Sequence, residues 1–340
     1  MKKNIRELDL INLTSEYNQP KFRAKQLYRW LWKKSIKDFD LITDLPENFK
    51  KELKDNFFLP YTSISTKIVS QDGTIKYLFK LSDDLICEGV LIPHNDRLTA
   101  CISSQVGCSL SCNFCATGTM KRARNILSSE IFDQVFLIMQ ECEIIYGKKL
   151  TNIVYMGMGE PFLNYQNVVN SIKYITNKEG LSFSKRRITL STVGISKMIK
   201  KFALEETGVN LAISLHAACN IKRNQIMSIN ETNNLETLED SLRYYYNKTK
   251  KQVTYEYVML NEVNDTIEDA NNLVKFSRII PSKVNLIEFN LVDGISFKKS
   301  SNLRTQKFMK ILKKNGITVN LRKSRGEDVG AACGQLALNK

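Results

Sequence analysis

From about residue 97 the chain alternates short β-branched, apolar runs with longer helical stretches, and this alternation limits the fold more than any other feature. The strand candidates are "LTACISS", "TNIVYMG", "RRITLST", "VNLAISL", "QVTYEYVML" and "VNLIEFN", and "ITVNLR" can add a last one. Helical stretches lie between them at about 128–146, 165–177, 195–204, 236–247, 266–277 and 302–315. Such repetition builds βαβ units around a parallel sheet. Six units suggest a partial or full barrel, although periodicity alone also allows a doubly wound open sheet.

Two smaller regions precede this body. Residues 1–60 read as a helical module: "KFRAKQLYRWLWKK" places Ala24, Leu27, Tyr28 and Leu31 at helical spacing, and "LPENFKKELKDNF" starts a second helix after its proline. Residues 61–96 alternate in the two-residue period of strands, with "QDGT" and "SDD" as turns, and form a β-hairpin linker region. The main body is 97–340.

No apolar run approaches the roughly 20 residues of a membrane span, and "MKKNIRELDLINL" is too polar for a signal peptide, so a cytoplasmic location is expected. Lysine and arginine outnumber aspartate and glutamate by 50 to 35, a formal charge of +15 that favours a polyanionic partner such as nucleic acid. In a reducing cytoplasm, eight cysteines argue for metal or redox chemistry rather than for a disulfide framework.

Four of those cysteines fall within "CISSQVGCSLSCNFCATGT": Cys101, then Cys108, Cys112 and Cys115 spaced C-x3-C-x2-C. Thiolates select zinc, iron–sulfur clusters or Cu(I). Structural zinc usually takes four ligands as two separated pairs. Three close thiols suit a cluster that keeps one iron open, since a [4Fe–4S] cluster otherwise takes four. Further candidates follow other predicted strands: Gly159 and Glu160 in "MGEP", Ser191 in "STVG", Ser214, Leu215 and His216 in "SLH", and Asn290. Each alone reads as a turn, cap or core residue. Together, at the C-terminal ends of strands where barrel enzymes build their sites, they mark a site.

The spacing "CSLSCNFC" resembles the signature of radical S-adenosylmethionine (SAM) enzymes. The longer order "SSQVGC", "GMGEP", "LSTVG", "SLHA", "NLIEFN" and "AACGQL" resembles the RlmN/Cfr family of RNA adenine methyltransferases over nearly the whole chain. The resemblance implies a partial (β/α)6 radical SAM barrel with an N-terminal helical module and a small β-hairpin extension. It implies a [4Fe–4S] cluster on Cys108, Cys112 and Cys115, and two SAM molecules per turnover. Gly159 and Glu160 are then expected to hold the SAM amino group, and Ser191, Ser214, Leu215, His216 and Asn290 to line the rest of that pocket. Pro161 and Ala217 point to the RlmN-like branch, which methylates adenine C2 in the peptidyl-transferase region of 23S rRNA and in tRNA 3′ to the anticodon. The alternatives are a Cfr-like C8 methyltransferase conferring antibiotic resistance, a radical SAM enzyme for a small molecule, and a noncatalytic Fe–S RNA-binding protein.

Adenine C2 has neither the lone pair nor the acidity to attack a SAM methyl group. The resemblance implies a detour in which Cys333 is first methylated, a radical forms on that methyl group and adds to C2, and the RNA is left joined to Cys333. Glu88 matches the proton acceptor. Cys101 matches the thiol that attacks the Cys333 sulfur, releasing the methylated base and leaving a transient disulfide. Flavodoxin is the implied electron donor, and a monomer is expected. Cys87, Cys142 and Cys219 read as buried small hydrophobes.

For the RNA surface, Lys21, Lys25, Arg29 and Lys33 form one i,i+4 ridge if 21–34 is helical, a repulsion of roughly 0.2–0.5 kcal/mol per pair that phosphates could offset. Trp30 and Trp32 are expected to pack internally. "KRAR" (Lys121 to Arg124) belongs near the mouth of the site, and "SKRR" on the opposite rim.

Overall fold

The computed structural model describes residues 2–338. The N-terminal module contains α1 (Leu10–Glu16), α2 (Phe22–Trp32) and α3 (Glu47–Asn56). Asp9 caps α1 by accepting from the amides of Ile11 and Asn12. The apolar stripe of α2 buries Ala24, Leu27, Trp30, Leu31 and Trp32.

Three strands follow, β1 (Ser63–Val69), β2 (Ile75–Lys80) and β3 (Ile86–His94). They form an antiparallel meander that continues into β4 (Arg97–Cys101). The hairpin region is therefore not a separate sheet. It extends the main one.

Beyond β4, the chain forms the short α4 (Ala116–Thr119), then α5 (Ser128–Tyr146), β5 (Asn152–Tyr155), α6 (Tyr165–Thr176), β6 (Ile188–Thr192), α7 (Ser196–Phe202) and β7 (Asn210–Ser214). It continues through α8 (Asn220–Ile226), α9 (Leu235–Thr249), β8 (Val253–Met259), α10 (Ile267–Ser277), β9 (Ser282–Glu288), α11 (Asn302–Lys314) and β10 (Thr318–Arg322). The ten strands lie side by side in chain order, and every pair from β4 to β10 is parallel. All six expected strands of the barrel are present, and "ITVNLR" supplies the seventh parallel one. Local chemistry fixes the helix ends: Thr266 and Asp269 cap α10 reciprocally, and α5 stops at Gly147 with φ +58°.

Barrel interiors are commonly filled by branched aliphatic side chains. Here Arg97, Asn152, Thr189 and Lys283 face inward at the N-terminal ends of their strands, Asn320 faces inward from the middle of β10, and the lumen is a cavity of about 1130 Å³. The segment after β10 closes the gap between the sheet edges. Gly326 N donates to Asp72 Oδ2 at 3.0 Å, and Asp328 accepts from the Ser70 hydroxyl and the Gln71 amide in the β1–β2 turn.

The helical module packs on α5 and α6. Trp32 stacks on Tyr174 with ring centroids 3.7 Å apart and meets Phe132 edge-on. Arg6 lies over Trp32 and pairs with Asp133 at 2.8 Å in this buried seam. Two residues of the basic ridge share one ionic partner. Lys25 and Arg29 both grip Glu179 in the turn after α6, at 2.9 and 2.7 Å, because that turn passes beneath α2. Only Lys21 and Lys33 of the ridge have no ion pair among the described residues.

Candidate active site

Cys101 ends β4, and the chain then forms the loop that carries Cys108, Cys112 and Cys115. Buried polar groups hold this loop in place. Ser103 N donates to Gln134 Oε1 and Ser103 O accepts from Gln134 Nε2, while Asn164 Nδ2 donates to Ser104 O and Ile126 O. At Gly107, φ is +76° and a Cβ would lie 2.5 Å from Lys121 O, so only glycine fits where the loop returns on itself.

Burial pushes the Cys108 thiol up to about 11 and raises those of Cys112 and Cys115. Cys108 is also raised by Cys115, and Cys112 by both Cys115 and Cys108, as expected for groups sharing one small site. Among the described residues, no three His, Cys, Asp or Glu side chains converge closely enough to hold a single metal ion. In a cluster each of the three thiolates would ligate a different iron.

Gly159 and Glu160 follow β5. Gly159 has φ +90°, and a Cβ there would lie 2.4 Å from Gln105 Cβ. Glu160 is buried, and its carboxylate accepts from Thr192 Oγ1 at 2.6 Å and from the amides of Val193 and Phe162 at 2.9 Å. Burial still pushes its carboxyl up to about 7. The Ser191 and Ser214 hydroxyls meet at 3.4 Å across β6 and β7. Leu215 is buried, with its amide bonded to Glu256 O.

His216 sits at φ +56°, edge-on to Phe114 of the cysteine loop. Its Nδ1 accepts from Val258 N at 3.0 Å, and burial lowers its pKa to about 3. The ring is neutral at pH 7, with its proton on Nε2. Asn290 donates from Nδ2 to Cys333 O at 3.0 Å, while its buried Oδ1 has no partner among the described residues. A buried acceptor left open in this way suits a ligand that brings a donor.

The cavity wall carries Cys101, Cys115, Asn290 and Cys333 together. Cys333 is exposed to the cavity, and its segment is fastened at several points. Ala116 N donates to Gly334 O at 2.7 Å, and Thr117 Oγ1 donates to Leu336 O. Burial pushes the Cys101 thiol up to about 12. Arg322 counters this from nearby: its Nη2 lies 4.0 Å from Cys333 Sγ and its Nη1 3.2 Å from Glu256 Oε2.

Glu160, Ser191, Ser214, Leu215 and His216 line the adjacent rim rather than this cavity. Glu88 is on neither surface. It is fully buried beneath the C-terminal segment, accepts from Ala337 N at 2.9 Å and lies 3.4 Å from Lys76 Nζ. Lys121 and Arg122 are exposed just after the cysteine loop, and Cys108 bridges to Lys121, although neither residue lines the cavity.

Two functional candidates had no sequence signal. Arg223 is buried and donates to Leu215 O, Val193 O and Asn230 Oδ1, which ties together two strand-end loops beside Cys112. Arg322 reads in sequence as one more charge at the end of a strand.

Two family models match the chain. The "Ribosomal RNA large subunit methyltransferase N-terminal domain" matches residues 3–59, and the "Radical SAM superfamily" matches residues 102–275. A "Probable dual-specificity RNA methyltransferase RlmN" from Cytophaga hutchinsonii is 50% identical, covering 100% of this chain and 94% of its own. The chain belongs to the RlmN family of radical SAM enzymes. A "Dual-specificity RNA methyltransferase RlmN" from Wigglesworthia glossinidia brevipalpis is 43% identical over 97% of this chain and 86% of its own. Among solved structures, a radical SAM methyltransferase from Sphaerobacter thermophilus superposes with a TM-score of 0.91 at 36% identity, covering 98% of this chain and 99% of its own. Membership in the RlmN family carries the use of SAM and an iron–sulfur cluster, to which the cysteine loop and the rim residues are suited.

Proposed function

We propose that the protein methylates C2 of adenine, in the peptidyl-transferase region of 23S rRNA and in tRNA 3′ to the anticodon, through a methyl group carried on Cys333. The observation that carries this reading is that Cys333 and Cys101 open onto one cavity, on a segment hydrogen-bonded to the loop of Cys108, Cys112 and Cys115. A single-step transfer to a nucleophile would need neither cysteine. Pro161 and Ala217, by resemblance, favour C2 over C8.

When bound, a [4Fe–4S] cluster on Cys108, Cys112 and Cys115 and two SAM molecules per turnover supply an exchangeable electron, a methyl group and a hydrogen-abstracting radical. The chain does the rest. Glu160, with Gly159, holds the ammonium end of SAM, and neutral His216, Ser191, Ser214, Leu215 and Asn290 shape the rest of its pocket. Cys333 accepts the methyl group and becomes joined through it to adenine C2. Glu88 takes the proton that leaves C2, and the one electron released as the ring regains aromaticity would go to the bound cluster. The Cys101 thiolate then attacks Cys333 Sγ: the S–S bond forms, the C–S pair passes to the methylene carbon, and a proton completes the methyl group. Arg322, beside both sulfurs, stabilises the thiolate form.

Residues 1–60 serve RNA binding, 61–96 supply Glu88, and 97–340 hold the radical site. The enzyme is expected to act in the cytoplasm, where its eight free thiols stay reduced, with a donor such as flavodoxin. No helix among the described residues is long and apolar enough to cross a membrane. Mass spectrometry of rRNA and tRNA from a deletion strain tests the assignment. Loss of 2-methyladenosine from both supports it. Retention of both marks, or loss of an 8-methyl mark instead, contradicts it.

A further inference from the structure

Lys76 projects from β2 into the same buried space as Glu88 from β3. Its ammonium is 3.4 Å from Glu88 Oε1, with side-chain exposures of 6% and 0%. An ammonium so placed is costly unless a counter-charge faces it. Glu88 is its one ionic partner among the described residues, and Lys76 is the one cation within ion-pair distance of Glu88. Other charged groups lie elsewhere: Glu130 and Arg124 act on Cys87, on the opposite face of β3, and on β4 Arg97 pairs with His94 at the far end of the strand from Cys101.

The two oxygens of Glu88 are differently engaged. Oε2 accepts from Ala337 N at 2.9 Å, whereas Oε1 has no hydrogen-bond donor among the described residues. The ammonium at 3.4 Å is beyond the 2.7–2.9 Å of a charge-assisted bond, so it supplies charge without occupying a lone pair. Lys76 also lies beside the segment leading to Cys333, since a Cβ added to Gly330 would meet its Nζ at 3.4 Å. One lysine therefore faces both the carboxylate and the backbone approaching Cys333.

We propose that Lys76 is a positioning residue for release of the RNA: its ammonium is the counter-charge that holds the Glu88 carboxylate beneath the C-terminal segment, with Oε1 free to receive the proton leaving adenine C2. An isolated carboxylate in a site without water favours its neutral form, which could not accept that proton. When the proton arrives, the Ala337 N–H bond loses its charge assistance and holds the segment less tightly. This inference rests on the assignment of Glu88 as proton acceptor and adds no covalent step.

The test compares Lys76→Met, Lys76→Arg and Glu88→Gln in the cluster-loaded full-length enzyme, with SAM, reductant and an RNA substrate. Lys76→Met should still methylate Cys333, read by mass, yet release methylated RNA roughly 100-fold more slowly, within the range of a lost general base. Protein joined to RNA should accumulate although Cys101 is intact, and Lys76→Arg should restore most of the release. Wild-type release by Lys76→Met, alongside a stalled Glu88→Gln, overturns the role of Lys76 and leaves Glu88 in place. Normal release by Glu88→Gln overturns the underlying assignment instead. Thermal melting gives a check that needs no turnover. The double variant should be no less stable than either single one, because it leaves no uncompensated buried charge. Additive losses mean that the two residues are not a pair.

Discussion

Gly334 O accepts a 2.7 Å hydrogen bond from Ala116 N, so the residue after Cys333 is fastened to the residue after Cys115. The proposed cluster ligand Cys115 and the proposed methyl carrier Cys333 are thus held by adjacent backbone. The Cys333 loop cannot shift far without breaking a bond to the cluster loop.

Replacing any one of Cys108, Cys112 or Cys115 by alanine should abolish the cluster and all SAM cleavage, because three ligands leave no spare. Iron content, visible absorption and 5′-deoxyadenosine formation check this. A variant with full iron and normal cleavage shows that its cysteine is not a ligand.

SAM affinity should depend on pH through Glu160. Its carboxyl is pushed up to about 7 by burial, and it can hold the SAM ammonium only when ionised. Binding is then strongest above pH 7 and weakens as pH falls, approaching about tenfold per unit well below it. Calorimetry across this range with cluster-loaded protein measures the slope, which Glu160→Gln should flatten.

The basic residues beside the cysteine loop should matter more for RNA than the ridge on α2. Lys25 and Arg29 are engaged by Glu179, whereas Lys121 has no ion pair among the described residues and Arg122 donates only to Asn125. Reversing Lys121 and Arg122 to glutamate should weaken binding and lower the salt slope by about one for each phosphate no longer neutralised. The same change at Lys25 and Arg29 should alter the slope less. Filter binding at several salt concentrations separates the two.

The fold was largely legible in the chain because strands and crossover helices each carry a local period. "VNLAISL" and "QVTYEYVML" announce buried strands without reference to any partner. The cysteine loop was legible for the same local reason, since its spacing is a property of one short segment. Relationships that span the sequence were not. Nothing in "IKYLFK" indicates that Lys76 faces Glu88, and nothing near Glu179 indicates that it is clamped by Lys25 and Arg29. Both depend on which strands or helices become neighbours. The fastening of residues 331–338 over Glu88 was also invisible, because it is made by backbone amides that every residue has.

Release of the RNA should accelerate with rising pH. The Cys101 thiol is pushed up to about 12 by burial, so little thiolate exists at pH 7 and the fraction grows about tenfold per unit. Removing the nearby charge in Arg322→Met should slow release further while leaving methylation of Cys333 intact. Rapid-quench measurement of adduct decay at several pH values checks both.

Everything in the proposed mechanism turns on Cys333 carrying the methyl group to RNA covalently and on Cys101 resolving the link. Mass spectrometry of Cys101→Ala after turnover with SAM, reductant and RNA decides the matter. The expected product is protein joined to RNA through a methylene bridge at Cys333, trimmed by ribonuclease to a nucleotide remnant, and absent from Cys333→Ala and from the double variant. Clean methylation of RNA by Cys101→Ala with no adduct contradicts the covalent route.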